Sequence, residues 1–313
     1  MKRTIKRKPK SNESYNAILC ADLHIREDTP ICRTDNYLNA QFTKMSFIKH
    51  LCEEHHCPLL CAGDLMDNWK PSPWLLSRCI ELLPSPIICV PGQHDLQNHS
   101  LDSFARTGLN TLQQAGKVFT LHSGHHDIFE EERAKITGYA YGEEAARNKT
   151  IDFAKDKQIL LWHKLVTAGE QPWPGAQASK ATHLLARADL GYDLIVTGDN
   201  HQQFVIEYKN RVLVNPGSMM RMSSDQANFE PAVFGWRAKD NSVERIPLPI
   251  EKGVVQKVER SNKEEKEKRF NAYIKQMKKH FELGLSFTKN MEDYLSEADE
   301  NEETEQIIWE AMT

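Results

Sequence analysis

Apolar residues fall into short runs separated by stretches with helical spacing. Ala17 to Cys20, Leu59 to Ala62 and Ile87 to Val90 are compact apolar runs of strand length. Between them, Leu38, Phe42, Met45, Ile48 and Cys52 recur three or four residues apart from Tyr37 to Cys52, and Trp74 to Leu83 continues the pattern. These spacings predict strand, helix, strand, helix, strand. Gln158 to Trp162 and Asp193 to Thr197 are further runs, with a predicted helix from Ala178 to Ala188 between them. Such alternation predicts an α/β fold, sheets covered by helices.

From Phe204 the texture changes. Phe204 to Tyr208, Arg211 to Val214 and Ala232 to Arg237 read as strands joined by polar turns, and they are expected to build a second sheet facing the first. A charged linker runs from Glu259 to Arg269. Beyond it, Phe270, Ile274, Met277 and Phe281 form one apolar helical stripe, and Phe287, Met291 and Tyr294 another. The expected organisation is a basic tail over 1–14, a catalytic domain over 15–258, and a linker with a helical appendage over 259–313.

At 313 residues and 40% hydrophobic content the chain can bury a full core. Its formal net charge of −4 excludes a uniformly basic surface, so any nucleic-acid contact must use local patches. Lys2, Arg3, Lys6, Arg7, Lys8 and Lys10 make one such patch, which reads as a solvated tail ahead of a DNA-binding arm. The seven cysteines include no CxxC pair, and Cys20, Cys61 and Cys89 sit in apolar runs. That usage suits a reducing cytoplasm. No stretch reaches the roughly 20 apolar residues of a membrane span. A soluble, cytoplasmic protein with no membrane partner is expected.

Chemistry concentrates where the apolar runs end. Asp22-Leu23-His24, Gly63-Asp64 with Asp67, Gly92-Gln93-His94-Asp95, His163, and Gly198-Asp199-Asn200-His201 each follow a predicted strand. Ligands of open α/β sheets bind beyond the carboxyl ends of strands. Taken singly, each cluster is weak: a Gly-Asp pair is commonly a turn, and a lone His commonly a packed or solvated side chain. Five in one register point to a metal site. Carboxylate and imidazole without thiolate suit Mn²⁺, Fe²⁺, Zn²⁺ or Mg²⁺.

Other residues carry less. His122, His125 and His126 lie in a glycine-containing loop, where a solvated loop near the cleft is the favoured reading over a second metal site. His50, His55 and His56 end a predicted helix, where imidazolium suits the dipole. Trp69, Trp74 and Trp173 lie in Pro-rich loops. They are core anchors or platforms for unstacked bases, and packing is the favoured reading.

In this order ADLH, GDLMD, PGQHD, WHK and TGDNH resemble the five signatures of calcineurin-like metallophosphoesterases. Within that class the chain resembles the SbcD-type DNA repair exonucleases, bacteriophage versions included, and the Asn215-Pro216-Gly217-Ser218 turn with Arg221 is similar to theirs. The resemblance covers about residues 15 to 240. It implies two facing mixed β-sheets flanked by helices, with a C-terminal helical appendage. It implies two divalent ions. Asp22, His24, Asp64 and His201 would hold one, and Asp64 would bridge to a second, held also by Gln93, His163 and Asp199. A shared carboxylate offsets repulsion between dications about 3.5–4 Å apart. His94 would act on the scissile phosphate, and Asp67 would orient its ring.

Two positions depart from the family pattern. Gln93 stands for Asn in GNHD, and Asp199 for His in GHxH. The harder donor set favours Mn²⁺, then Mg²⁺, over Zn²⁺ at the second site. The implied function is a DNA nuclease subunit working with an SbcC-type, SMC-like ATPase that docks on the C-terminal helices. A homodimer is also open. The competing readings are a phosphomonoesterase or protein phosphatase of the same fold, and a non-catalytic scaffold. Asn68 stands where Ser/Thr phosphatases place Arg after GDxxD, which weighs against the phosphatase.

Overall fold

The computed structural model describes residues 14–129, 134–146, 157–172, 175–187 and 190–257. All belong to one compact unit ending at Lys257. The basic tail, Trp173 and the expected C-terminal appendage lie outside the described residues.

The first half alternates strand and helix. It runs β1 (Ala17–Cys20), α1 (Tyr37–His55), β2 (Leu59–Cys61), α2 (Pro73–Leu82), β3 (Ile87–Cys89), α3 (Gly108–Gln114) and β4 (Val118–Thr120). The helix starts follow local chemistry. The Asn36 side chain caps α1 by accepting from Asn39 N–H, and Ser72 caps α2 by accepting from Leu75 N–H, with Pro73 opening the helix. His56 ends α1 in the left-handed conformation. The second half runs β5 (His126–Phe129), β6 (Ala134–Tyr139), β7 (Lys157–Trp162), β8 (Val166–Thr167), β9 (Ser179–Lys180), α4 (Ala181–Ala186), β10 (Leu194–Thr197), β11 (Phe204–Tyr208), β12 (Arg211–Asn215), β13 (Ala232–Arg237) and β14 (Ser242–Pro247).

The strands form two six-stranded mixed sheets, ordered β14-β13-β1-β2-β3-β4 and β11-β12-β10-β7-β6-β5, while β8 and β9 pair separately. Strands β1 to β4 are mutually parallel, as are β6, β7, β10 and β12. The two sheets pack face to face. Leu19, Leu60 and Ile88 of one meet Ile136, Ile159, Leu161, Val196 and Val214 of the other in one apolar layer. The outer face of the first sheet carries Ile18, Cys61 and Ile87 against Met45 and Ile48 of α1, Cys79 of α2 and Leu112 of α3. The outer face of the second packs Leu160, Trp162 and Ile195 on Leu184 and Leu185 of α4. Strands buried on both faces explain the unbroken apolar runs. Among the described residues no helix is long and apolar enough to cross a membrane.

One expectation is corrected. The strands after Phe204 do not form a sheet of their own. β11 and β12 complete the sheet of β7 and β10, whereas β13 crosses to the first sheet and pairs antiparallel with β1, Ala17 opposite Trp236. The physical reason is the edge of β1. Its other side is taken by β2, and an unpaired edge in a buried strand leaves backbone groups unsatisfied.

Candidate metal centre

The five clusters come together at the carboxyl ends of β1, β2, β3, β7 and β10, three from one sheet and two from the other. Beyond the strands, the first two loops continue to pair. Asp22 N–H donates to the Gly63 carbonyl, His24 N–H to Asp64 and Ile25 N–H to Leu65, each at 3.0 Å. Four proposed ligands have left-handed backbones: Asp22 (φ 50), His24 (φ 43), Asp64 (φ 50) and Asp199 (φ 73). Non-glycine residues enter that region at a cost, and such strain clusters at functional sites. Gly92 is required by closeness, since a Cβ there would lie 2.1 Å from Oδ1 of Asp64.

Asp64 sits at the middle. Its Oδ1 accepts from His94 N–H at 2.8 Å. Its Oδ2 lies 3.7 Å from Nε2 of His24 and 3.5 Å from Nε2 of His163. Nε2 of His24 is in turn 3.2 Å from Nε2 of His201. Asp22 accepts Asp199 N–H on Oδ1 at 3.0 Å. The second oxygens of Asp22 and Asp64 are buried with no hydrogen-bond partner. An unsatisfied buried carboxylate oxygen costs about 1–3 kcal/mol or more, and a cation removes that cost. Donor atoms of Asp22, His24 and His201 lie within 4.8 Å of one another, as do those of Asp22, Asp64 and His163. Donor atoms of His24, Asp67 and His94 form a third such group, and the residues together fit a two-cation centre.

His163, Gln93 and Asp199 converge on the other side. Nδ1–H of His163 donates to the Ala62 carbonyl at 2.7 Å, which turns Nε2 inward, 2.6 Å from Oε1 of Gln93. The Gln93 amide nitrogen donates to Oδ1 of Asp199 at 2.7 Å. The two departures from the family pattern are thus direct partners, a longer arm meeting a shorter one.

Charge follows from packing. Burial opposes the imidazolium of His163, but Asp64, Asp22 and Asp199 overcome it and push its pKa up to about 10. Burial would raise Asp64, yet His163, His24 and His94 hold it well below the usual carboxylate range. Burial dominates at Asp22 and raises it, and at His201 and lowers it. Burial works against a charged His24, and Asp67, Asp64 and Asp22 outweigh it, raising the pKa. Cations entering such a site displace these protons.

Asp67 is placed differently from the expectation. Its carboxylate faces Nδ1 of His24 at 3.2 Å and Arg26 at 3.1 Å. The His94 ring is held by the Asp67 main-chain carbonyl, which accepts from Nδ1 at 3.0 Å. Residues without an assigned part in the sequence reading also take one here. Asp95 is buried and accepts from the backbone N–H groups of Leu65, Met66 and Gly92, stapling the second and third loops together. Gln41 brackets Arg26, donating to its carbonyl and accepting its N–H. Asp95 was in view as the fourth residue of GQHD; Gln41, on α1, leaves no signal in the sequence.

The lesser candidates stay outside the centre. His122 packs against Phe104 and His125. The His55 ring stacks on Tyr15, and Trp74 lies against Phe42 at the exposed surface.

No curated protein matches the chain in sequence. Among solved structures it is similar to TT1561 of Thermus thermophilus, at 12% identity over 76% of this chain and 100% of that one, TM-score 0.46. It is also similar to an archaeal phosphodiesterase (12% identity, 74% and 99% covered, TM-score 0.41) and to phosphopantetheinyl hydrolase of Mycobacterium tuberculosis (11% identity, 74% and 95% covered, TM-score 0.45). The model of the calcineurin-like phosphoesterase family matches residues 15–203, more than half of the chain and all five clusters. The chain belongs to the calcineurin-like phosphoesterase family.

Proposed function

We propose that this metal-dependent phosphoesterase is an SbcD-type nuclease subunit that hydrolyses phosphodiester bonds in DNA. The observation that carries the reading is the Asn215-Pro216-Gly217-Ser218 turn, which resembles the SbcD type and is built into the centre. Ser218 N–H donates to the His201 carbonyl at 3.4 Å, and Met219 N–H to the Asp22 carbonyl at 3.2 Å. A Cβ on Gly217 would lie 2.7 Å from the His201 oxygen. Asn68, in the position where protein phosphatases place Arg, supports a diester over a phosphoprotein.

Asp22, His24, Asp64 and His201 would hold one ion, and Asp64, Gln93, His163 and Asp199 the other, with Mn²⁺ first and Mg²⁺ as the alternative. Bound there, divalent cations supply Lewis acidity and a sink for charge developing on phosphate oxygens. The remaining steps belong to the chain. With Nδ1–H committed to the Asp67 carbonyl, the exposed His94 ring presents Nε2 outward. Protonated there, it passes a proton to the leaving sugar oxygen or hydrogen-bonds the phosphate. The carboxylate of Asp67 orients His24 and is itself balanced by Arg26.

The test is degradation of linear and hairpin DNA by the full chain with Mn²⁺ or Mg²⁺, beside nitrophenyl mono- and diesters. Hydrolysis of the monoester alone would overturn the nuclease in favour of a phosphomonoesterase. A purified protein that binds no metal would favour the scaffold. We further propose that residues 259–313 dock an SMC-like ATPase, and that co-purification ends when they are removed.

A further inference from the structure

Two arcs of rings flank the unsatisfied oxygen of Asp64. His94 and His201 both pack on His24 to one side, with centroids 4.7 and 5.0 Å away. On the other, the Tyr141 ring lies 6.2 Å from His163, and the His99 ring meets Tyr141 edge-on at 6.0 Å. The first arc is absorbed by the proposed chemistry. The second is not, because Tyr141 and His99 hold no position in the ligand set.

Tyr141 is mounted rigidly. Its N–H donates to the carbonyl of Pro91, directly before Gly92-Gln93-His94, so its backbone is tied to the loop that carries two of the centre's residues. The turn that follows is stapled by the Glu143 carboxylate, which accepts from Ser123 N–H, the Ser123 hydroxyl and Ala140 N–H at 2.7–2.8 Å. Among the described residues the Tyr141 hydroxyl meets no protein partner, and the ring is partly open to solvent. His99 is exposed, and it follows Asn98 in a pair of left-handed residues (φ 52 and 56) that turns the loop here. A fixed, partly solvated aromatic pair one ring away from a metal ligand is a stacking surface.

We propose that Tyr141 and His99 form an aromatic subsite that takes a nucleobase of the nucleotide chain whose phosphate occupies the metal centre. This rests on the diesterase reading and adds to it a subsite for the base. Stacking serves any base, since each offers a π-face, so the subsite provides affinity for nucleotides without sequence preference.

The test compares two esters with the same leaving group, the p-nitrophenyl esters of thymidine 5′-phosphate and of methyl phosphate, on the Mn²⁺-loaded full chain. The ratio of their kcat/KM values is expected to favour the thymidine ester by roughly five- to a hundred-fold, the span of base–aromatic stacking. Tyr141→Ala is expected to lower that ratio towards one, Tyr141→Phe to keep it, and His99→Asn, which tolerates the left-handed backbone, to lower it in part. A second readout needs no turnover: thymidine 5′-monophosphate is expected to bind the Mn²⁺-loaded protein more tightly than inorganic phosphate, an advantage lost in Tyr141→Ala. If neither ester is cleaved, the diesterase reading fails, and the binding comparison still decides the subsite. Equal binding of nucleotide and phosphate by the wild type, or a preference that survives both Tyr141→Ala and His99→Asn, overturns the proposal.

Discussion

The carboxylate of Asp67 lies 3.2 Å from Nδ1 of His24, while the Asp67 main-chain carbonyl holds Nδ1 of His94 at 3.0 Å. Asp67 is thus an outer partner of a proposed metal ligand, fixing the ring so that Nε2 faces Asp64 and His201. Removing such a partner typically costs about 10–100-fold in metal affinity. Asp67→Asn is expected to weaken Mn²⁺ binding by that amount in calorimetry, while the main-chain bond to His94 persists. Unchanged affinity would refute this role.

His94 is the complementary case. It touches no ion in the proposed arrangement, and its N–H supports Asp64 through the backbone, which a side-chain substitution preserves. His94→Ala is expected to retain its metal content by elemental analysis and to lose about 10²–10⁴-fold in turnover. Wild-type rates would reduce the Gln-His-Asp cluster to a turn.

Gln93 and Asp199 touch at 2.7 Å, so their effects should not add. Gln93→Asn and Asp199→His each break the contact and are expected to weaken Mn²⁺ binding. The double variant should recover part of the loss, with a coupling of about 0.5–3 kcal/mol. Strict additivity in the binding cycle would show that the two departures arose without compensation.

Lys44 gives the pH prediction. It is buried beneath the loop that follows Gly217, and its Nζ donates to the Met219 carbonyl at 2.8 Å. Burial, then Arg33 and Arg221, push its pKa down to about 7 from 10.5, against a smaller opposing pull from Asp35. Between those values the unfolded chain holds a proton that the folded chain has released. Stability therefore rises with pH across this window, and below about 7 the full cost is present. At about 1.4 kcal/mol per pH unit this is roughly 3–5 kcal/mol. Relative to wild type, Lys44→Met should be most stable at pH 7 and below, and lose that advantage towards pH 10. Paired urea melts from pH 6 to 10 would check it, and a difference independent of pH would be inconsistent with a charged Lys44.

Much of the site was legible in the chain because parallel strands buried on both faces leave unbroken apolar runs, and catalytic groups must then stand where the runs stop. Asp22, Asp64, His94, His163 and His201 each follow such a run, so their convergence needed only the rule that parallel strands end on one side. Short-range chemistry was equally visible. Phe204 to Tyr208 and Arg211 onward read as strands around the Lys209-Asn210 turn, and both of those turn residues have positive φ.

What the chain could not disclose were choices between partners far apart in sequence. Nothing in Ala232 to Arg237 says that it must close the open edge of β1 and not extend the sheet of β12. That choice depends on which edge is left unpaired once both sheets have formed. Asp67 stands three residues from Asp64 and within reach of two imidazoles, and only the left-handed turn at His24 brings Nδ1 to its carboxylate and leaves His94 to its carbonyl. Gln41, Lys44 and Tyr141 read as ordinary helix and loop positions. Gln41 and Lys44 acquire their partners because packing α1 against the loops buries polar atoms that must be satisfied where they lie, and Tyr141 comes beside His163 only through the fold of the turn after β6.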